Sequence, residues 1–495
     1  MTGLLGYAVL LLAISLAMPQ ELFNQQSAHF LLAIGLIASW RYIWAATHLV
    51  RSLIYRHIVF PRLRREADAM GPEGMPSHAY LLLTSFRIDT ETSTDVYRAA
   101  IEEAARTNIP VTLVASLVEM ADQRLVKQLF VAMDPPPHVK LAFIRIGGTG
   151  KRDALAQGLR TIQMMRPPAG AIVAVIDGDT VLEPYCLQRS LPFFKVMPDI
   201  SAFTTDEVCE VRGARVFHDW YNMRFAQRQI LMCSMGLSKR VLTLTGRMSA
   251  FRVEVATDPG FIKQLESDTI DHWRLGRFSF LTGDDKSTWY WILRHGGKMA
   301  YIPDVTVSTV ESPPDNDFVR ASTMLMVRWF GNMLRNNSRA LALGPQKIGL
   351  FVWWTVLDQR VSMWTATVGP TAAVLLTLYY GPMSLVVYAY WIAVTRFIQT
   401  LALLTARKDV AWTFPFLLFF NQVYGSLVKT YIFFRLDRQK WTRQNTTVSR
   451  NLGDFSKQVI NMTSWSMHAV AILLFLACVG TYLGVFKPFS FLPLL

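Results

Sequence analysis

Two pairs of closely spaced aspartates are the side chains of this sequence best suited to chemistry. Asp177 and Asp179 stand two positions apart in VIDGDT at 175–180, directly after an apolar run. Carboxylates at the end of a strand can hold Mg²⁺ or Mn²⁺, because these ions prefer oxygen ligands, keep several waters and bridge substrate phosphates. The segment predicts a divalent-metal site for a diphosphate, and a solvent-exposed Asp-Gly turn is the structural alternative.

The second pair, Asp284 and Asp285, lies in TGDDKSTW at 282–289, ahead of an apolar-periodic stretch typical of a helix. An aspartate there can simply cap the helix. Two neighbouring carboxylates also repel each other, which raises the pKa of one toward that of a general base. We therefore expect one of the two to accept a proton.

Two basic residues follow a glycine-rich turn in GGTGKRD at 147–153. A Walker nucleotide site is excluded, because Arg145 and Arg152 stand where that pattern requires Gly and Ser or Thr. Lys151 and Arg152 still follow a predicted strand and are placed to contact phosphates. A plain basic turn is the alternative.

An arginine and a tryptophan adjoin in the helical stretch FVRASTMLMVRWFGNMLRNN. The guanidinium of Arg328 suits a diphosphate, and the indole face of Trp329 suits a sugar ring. The alternative is an interfacial helix that holds Trp and Arg at the level of the lipid headgroups.

The elements that must position these residues form one α/β domain over 51–345. Short apolar runs such as AYLLLTSF, VTLVASLV, VKLAFIRI and GAIVAVID alternate with helical patterns. This alternation predicts a mostly parallel sheet buried on both faces, with ligands at the carboxyl ends of its strands. Asp89 and Glu119 follow two of these strands and join the candidates.

The composition places part of the chain in lipid. Of 495 residues, 52% are hydrophobic and 17% are charged, against about 25% charged in soluble domains. Uncharged or nearly uncharged stretches predict two transmembrane helices in 1–50 and about three in 346–495. Within the latter part, Gly381-Pro382 separates two spans. Residues 411–434 are expected to be an interfacial or re-entrant helix pair, broken near Pro415 and Gly425.

The formal charge of +14 suits anionic headgroups, a phosphorylated donor or a polyanionic product. Basic residues after the second predicted span put the middle domain in the cytoplasm. Nucleic-acid binding is not expected, because the basic residues flank the spans and form no aromatic-studded groove. Basic residues in or beside the apolar runs either snorkel to the headgroups or line a polar path; they are Arg41, Arg360, Arg396 and Lys429.

Taken together, four motifs resemble those of the processive family 2 glycosyltransferases, which include cellulose, chitin and hyaluronan synthases: DGD at 177–179, LTGRMSAFR at 244–252, GDD at 283–285 and VRW at 327–329. One departure is Leu325, which stands where the family has Gln. The resemblance implies a GT-A-type glycosyltransferase domain, inserted between transmembrane helices and dependent on Mg²⁺ or Mn²⁺.

Further strings resemble the bacterial alginate polymerases more closely, among them TSFRID, SLVEM, SKRVLTLTGRMS and NSRALALG. This resemblance implies GDP-mannuronate as donor, poly-β-1,4-mannuronate as product and the bacterial inner membrane as location. It also implies a partner subunit with a PilZ domain that binds cyclic-di-GMP. A related synthase that makes another polymer from a UDP-sugar is the alternative.

The resemblance also implies roles for individual residues. Asp285, with Asp284 beside it, is the catalytic base of an inverting transfer, and Asp179 with Asp177 holds the metal. The implied donor-binding residues are Asp89, Glu119, Lys151, Arg152, Asp177 and Arg328. The implied acceptor-binding residues are Trp329, Gly246 and Arg247.

Overall fold

Strands and helices alternate along the middle of the chain in the computed structural model, as the apolar runs predict. The structure describes residues 2–17, 25–148, 150–441, 446–447 and 453–486. Thr149 in the predicted phosphate loop and residues 18–20 at the end of the first predicted span lie outside these ranges.

The strands are β1 (Ala79–Thr84), β2 (Val111–Leu117), β3 (Val139–Arg145), β4 (Ile172–Asp177), β5 (Thr180–Leu182), β6 (Ile200–Val211), β7 (Met248–Arg252), β8 (Thr269–His272), β9 (Gly276–Ser279), β10 (Lys298–Glu311), β11 (Lys440–Trp441) and β12 (Thr446–Thr447). The helices before β6 are α1 (Thr2–Ala17), α2 (Gln25–Ile54), α3 (Phe60–Met70), α4 (Thr90–Arg106), α5 (Met120–Met133), α6 (Lys151–Met164), α7 (Cys186–Ser190) and α8 (Phe193–Val196). The later helices are α9 (Arg215–Gly236), α10 (Val253–Ala256), α11 (Pro259–Glu266), α12 (Asp284–Arg294), α13 (Phe318–Ala342), α14 (Pro345–Ile348), α15 (Leu350–Tyr380), α16 (Met383–Leu403), α17 (Phe414–Phe433) and α18 (Asp454–Tyr482).

Eight strands form one sheet in the order β3-β2-β1-β4-β7-β6-β10-β5. β1 pairs in parallel with β2 and β4, and Leu82 lies between Val114 and Val175. β7 runs antiparallel to both of its neighbours, and β10 returns parallel to β6. The prediction of a mostly parallel sheet is confirmed.

Strands β1 and β2 are buried at every position because helices cover both faces of the sheet. Leu81, Leu82 and Leu83 point to alternate faces, as successive strand residues do, and none of the three is exposed. Helices α4, α5 and α6 pack on β2, and α6 also packs on β1. Because the strands are buried, their ends are held in place. The loops that follow them, which carry the predicted site residues, are held in place as well.

A buried carboxylate on β6 connects the sheet to the carboxyl-terminal helices. Asp206 accepts hydrogen bonds from Tyr301 Oη at 2.7 Å and from Gln229 Nε2 at 2.9 Å. Arg407, in the connection between α16 and α17, lies 2.7 Å from the same carboxylate. Burial raises the pKa of Asp206, and Arg407 opposes that shift. The ion pair thus joins two parts of the chain about 200 residues apart.

Three helices of the described chain are long and apolar enough to cross a membrane: α15, α16 and α18. They match the three spans predicted for the carboxyl-terminal part. α15 ends at Tyr380 and α16 begins at Met383, so the predicted break at Gly381-Pro382 is confirmed. α1 has 16 residues, fewer than the about 20 that a helix needs to span the hydrocarbon core. The two amino-terminal spans remain a prediction.

The predicted helix pair in 411–434 is wrong, since α17 is one continuous helix. Pro415 lies in its first turn, where proline removes no intrahelical hydrogen bond. Gly425 lies within the helix, and a Cβ there would meet the Phe330 ring at 3.5 Å. A Cβ at that distance would make an ordinary van der Waals contact, so the glycine is not required for packing, and it does not interrupt the helix.

Candidate active site

A cleft opens at the carboxyl ends of β1 to β4, bounded by the start of β7, the amino terminus of α12 and one face of α13. Parallel sheets bind ligands at this edge, because the loops after the strands converge there. Nine predicted site residues line it: Lys151, Asp177, Asp179, Gly246, Arg247, Asp284, Asp285, Arg328 and Trp329.

The loop that carries Asp177 and Asp179 depends on the glycine between them. A Cβ at Gly178 would lie 2.5 Å from the carbonyl oxygen of Thr84 and 3.0 Å from the Cα of Ser85. Backbone atoms cannot move aside cheaply, so only glycine lets the loop close against the end of β1. This contact holds the two carboxylates at the cleft.

Lys151 brings the two aspartate motifs together. It is the first residue of α6, and its ammonium lies 2.5 Å from Asp177 Oδ1 and 3.0 Å from Asp284 Oδ2. Burial alone would lower the pKa of Lys151, but the two carboxylates outweigh burial and raise it. The ammonium is therefore a fixed positive charge on the cleft wall.

The adjacent aspartates of α12 have opposite pKa shifts. Burial acts to raise the pKa of Asp284, but the charges of Lys151 and Arg152 outweigh it and lower the pKa. The pKa of Asp285 is raised, first by burial and then by the charge of Asp284. Environments that separate two pKa values in this way divide the roles of a carboxylate pair. Asp284 stays ionised, and Asp285 is the better proton acceptor.

Asp285 is oriented by a residue from another element. Thr243, which precedes β7, donates a hydrogen bond from Oγ1 to Asp285 Oδ2 at 3.1 Å. The hydroxyl holds one carboxylate oxygen, so the carboxylate has a defined direction at the cleft.

The carboxylates at the end of β4 suit a divalent ion. Asp177 is partly buried, burial raises its pKa, and its Oδ1 faces the ammonium of Lys151 at 2.5 Å. A Cβ at Gly246 would lie 2.7 Å from Asp177 Oδ2, so this glycine leaves the second oxygen open. No group of three or more acidic, His or Cys side chains in the described chain is arranged so that it could hold a metal ion by itself. An ion held by Asp177 and Asp179 would therefore take its remaining ligands from water and substrate phosphates, as Mg²⁺ commonly does.

The α13 side of the cleft presents an aromatic ring backed by a cation. Trp329 lines the cleft and stacks on Trp220 of α9, with ring centroids 5.6 Å apart. The guanidinium of Arg224 lies 4.1 Å from the centroid of Trp329. These contacts fix the indole in place and leave it able to contact a sugar from the cleft.

Arg247 also lines the cleft and is tied to two carboxylates. Its guanidinium lies 2.7 Å from Glu311 Oε1 and 3.2 Å from Glu207 Oε2. Glu311 also lines the cleft. Arg247 therefore has part of its hydrogen-bonding capacity engaged within the protein.

The structure corrects the placement of Arg152. Its guanidinium is buried and donates to the carbonyl oxygens of Leu265 and Thr282 and to Ser287 Oγ. Arg152 joins α6 to α11 and α12 and does not line the cleft. Successive helix residues point about 100° apart, so Lys151 faces the cleft and its neighbour does not.

Asp89 and Glu119 also lie outside the cleft lining. Asp89 caps α4, accepting hydrogen bonds from the backbone N–H and hydroxyl of Thr92 at 2.9 Å. Asp89 therefore serves as a helix cap, as an aspartate just before a helix commonly does. Glu119 is exposed just before α5.

Three residues that the sequence did not single out contribute to the site: Thr243, Glu311 and Asn332. Asn332 follows Arg328 by four positions, which places both on one face of α13, and this spacing could have identified it. Thr243 and Glu311 are brought to the site by the folding of the sheet, so no local sequence pattern identifies them.

The sequence model described as "Glycosyltransferase like family 2" matches residues 76–332. Two similar proteins are each named "Glycosyltransferase alg8". The one from Pseudomonas syringae pv. tomato (strain ATCC BAA-871 / DC3000) is 48% identical over 479 residues, 97% of each chain. The one from Azotobacter vinelandii is 45% identical over 476 residues, 96% of each chain.

Two solved structures are also similar. One is the mannosyltransferase PcManGT from Pyrobaculum calidifontis in complex with GDP-Man and Mn²⁺, with a TM-score of 0.44, 16% identity and coverage of 80% of this chain and 98% of that one. The other is the glucosyl-3-phosphoglycerate synthase from Mycobacterium tuberculosis with Mn²⁺, UDP and glucosyl-3-phosphoglycerate. It has a TM-score of 0.31, 13% identity and coverage of 55% and 83%.

Proposed function

This chain belongs to the family 2 glycosyltransferases, and from that premise we propose that it polymerises mannuronate. The donor is GDP-mannuronate, and the product is poly-β-1,4-mannuronate, the precursor of alginate. Transfer is processive and inverts the anomeric carbon. The near full-length similarity to two proteins named Glycosyltransferase alg8 supports alginate synthesis as the pathway.

The proposal rests on one observation. Both aspartate pairs and a lysine lie in the same cleft. Lys151 contacts Asp177 of the first pair and Asp284 of the second. A glycosyl transfer needs charge neutralisation at the leaving diphosphate and a base at the attacking hydroxyl. The cleft provides side chains for charge neutralisation and for the base, and it holds them close together.

In the proposed reaction, the hydroxyl oxygen at the chain end attacks the anomeric carbon of the donor. Its proton passes to Asp285, the C–O bond to the diphosphate breaks, and GDP leaves with the bonding electrons. Lys151 and Arg328 offset the negative charge that develops on GDP. A divalent ion on Asp177 and Asp179 would supply further neutralisation there. Trp329 supports the acceptor sugar.

The proposed location is the bacterial inner membrane, with the sheet domain in the cytoplasm. Three candidate spans support membrane insertion, and the basic residues that follow α2 favour the cytoplasmic side for the domain. The proposed partner is a subunit with a PilZ domain that binds cyclic-di-GMP, as the resemblance to alginate polymerases implies. Copurification of that subunit with the tagged full chain tests the pairing.

The proposed activity is tested with membranes that contain the full chain. They are incubated with labelled GDP-mannuronate and Mg²⁺ or Mn²⁺, with and without the partner subunit, and the labelled polymer is digested by a mannuronate-specific lyase. We expect lyase-sensitive polymer that requires the metal and is absent with chelator. Polymer formed from a UDP-sugar, with none from GDP-mannuronate, would overturn the proposal.

A further inference from the structure

A cluster of cations lies among the helices beside Trp329, apart from the catalytic carboxylates. We call it the inner cation cluster and define it as Arg224 of α9, Lys429 of α17 and Arg41 of α2. The charges of Arg41 and Arg224 both act on Lys429 through space, as does the carboxylate of Asp358 on α15. The cluster therefore holds three positive charges against one negative charge.

Arg224 is held flat against aromatic rings and has no carboxylate partner in the described chain. Its guanidinium lies 4.1 Å from the centroid of Trp329 and 5.0 Å from that of Trp220. Its one hydrogen bond among the described residues, to Asn421 Oδ1, is long at 3.4 Å. Arg228, one turn further along α9, pairs instead with the buried Glu207. Arg224 is thus fixed in direction with most of its donors unused.

Lys429 is also without a carboxylate or hydrogen-bond acceptor within the ranges that the structure describes. Its ammonium lies 4.8 Å from the ring centroid of Phe330, the residue after Trp329. Arg41 pairs with Asp358, so the one carboxylate near the cluster is already engaged. Lys429 is enclosed by helices and remains partly accessible.

An anion that enters this enclosed place would be stabilised by both cations, because opposite charges attract more strongly where water is largely excluded. An arginine can bind a carboxylate through two parallel hydrogen bonds, and a lysine adds a point charge. Trp329 connects this place to the cleft, since its ring contacts Arg224 while it also lines the cleft. A sugar chain that rests on Trp329 therefore comes within reach of Arg224, and Lys429 lies beside the ring of the next residue, Phe330.

We propose that Arg224 and Lys429 form a binding site for the carboxylate of a sugar in the growing chain, on the acceptor side of Trp329. This inference rests on the proposed function, which supplies a product with one carboxylate per sugar. The site selects a uronate chain over a neutral one. It also retains the chain between successive transfers.

The test measures binding of short mannuronate oligomers and of neutral mannose oligomers of equal length to the purified full chain in detergent, with GDP present. The variants are Arg224→Gln, Lys429→Gln and Lys429→Arg. Lys457→Gln is the matched control, because Lys457 is exposed on α18 and its one ion pair among the described residues is with Asp454, three positions earlier. Thermal unfolding of each variant verifies its folding.

We expect each Gln variant to bind the mannuronate oligomer about tenfold more weakly, as loss of one charge-assisted hydrogen bond predicts. Binding of the neutral oligomer should not change. Lys429→Arg should retain mannuronate binding, and the preference for it should decrease at high salt. Equal losses for both oligomers, or no loss for either, would overturn the inference. Displacement of bound oligomer by vesicles of anionic phospholipid, without loss in the Gln variants, would assign the cluster to headgroups and also overturn it.

The two proposals fail in different ways. If the wild type makes polymer only from a UDP-sugar, the proposed function is wrong. If it makes polymannuronate and both Gln variants bind mannuronate oligomers as the wild type does, the proposed function stands and the cation site alone is wrong.

Discussion

Asp285→Asn tests the division of roles within the aspartate pair of α12. The side-chain amide keeps the shape of the carboxylate and can still accept the hydrogen bond from Thr243, but it cannot take a proton from the attacking hydroxyl. Removal of a positioned base typically costs 10²–10⁴-fold in rate. We expect polymer synthesis to fall by that factor, measured as initial rates of label incorporation from GDP-mannuronate.

The stability of Asp285→Asn should rise, even though its rate of polymer synthesis falls. Burial and the charge of Asp284 raise the pKa of Asp285 in the folded protein, so the folded state binds that proton more tightly than the unfolded state. Stability is therefore lost as the pH rises from the unfolded pKa to the folded pKa. Asn does not ionise, so the variant should unfold at a higher temperature than the wild type at pH 7, and the difference should vanish near pH 3.

The control for Asp285→Asn is Asp271→Asn, because Asp271 is 79% exposed on the β8-β9 hairpin and should alter neither rate nor stability. The wild-type rate should fall as the pH decreases through the raised pKa of Asp285, since the base must be ionised. Polymer synthesis by a folded Asp285→Asn protein within about threefold of wild type, which is well inside the range for a lost base, would refute the assignment.

Three further substitutions follow from the contacts at the site. Thr243→Val should cost about tenfold in rate and move the acid limb of the pH profile upward, because the lost hydrogen bond favours the ionised form of Asp285; an unshifted limb contradicts this. Gly178→Ala, whose Cβ meets the Thr84 carbonyl at 2.5 Å, should cost about 10²-fold in metal-dependent rate, and a normal metal titration would count against it. Arg152→Met should destabilise the fold by about 3 kcal/mol in denaturant titrations; unchanged stability with weaker GDP binding would restore Arg152 as a phosphate ligand.

The sheet and most of the cleft were predictable because buried strands and the residues at their ends give recognisable sequence patterns. A run such as AYLLL, apolar at every position, occurs where both sheet faces are covered. The residues that follow such runs must meet at one edge. Asp177 and Lys151 come from separate runs and contact each other for this reason.

Other features depend on side-chain direction and tertiary contacts, which no local pattern encodes. Lys151 and Arg152 are adjacent in sequence, yet the turn of the helix sends one to the cleft and the other to the α11-α12 junction. Thr243 reaches Asp285 across 42 positions. Pro415 and Gly425 suggested a broken segment, but their positions in the first turn and at the Phe330 contact are compatible with a continuous helix.

The pairing of Asp206 with Arg407 makes the sheet domain of this protein inseparable from the carboxyl-terminal helices. A fragment that ends at residue 345 would keep the hydrogen bonds to Asp206 from Tyr301 and Gln229 and the nearby charge of Arg228, but it would lose Arg407, which pairs directly with this carboxylate. Removing one partner of a buried ion pair costs about 3–5 kcal/mol, a large part of the stability of an ordinary domain. Such a fragment should precipitate or unfold on expression, so biochemical work requires the entire polypeptide in detergent or lipid.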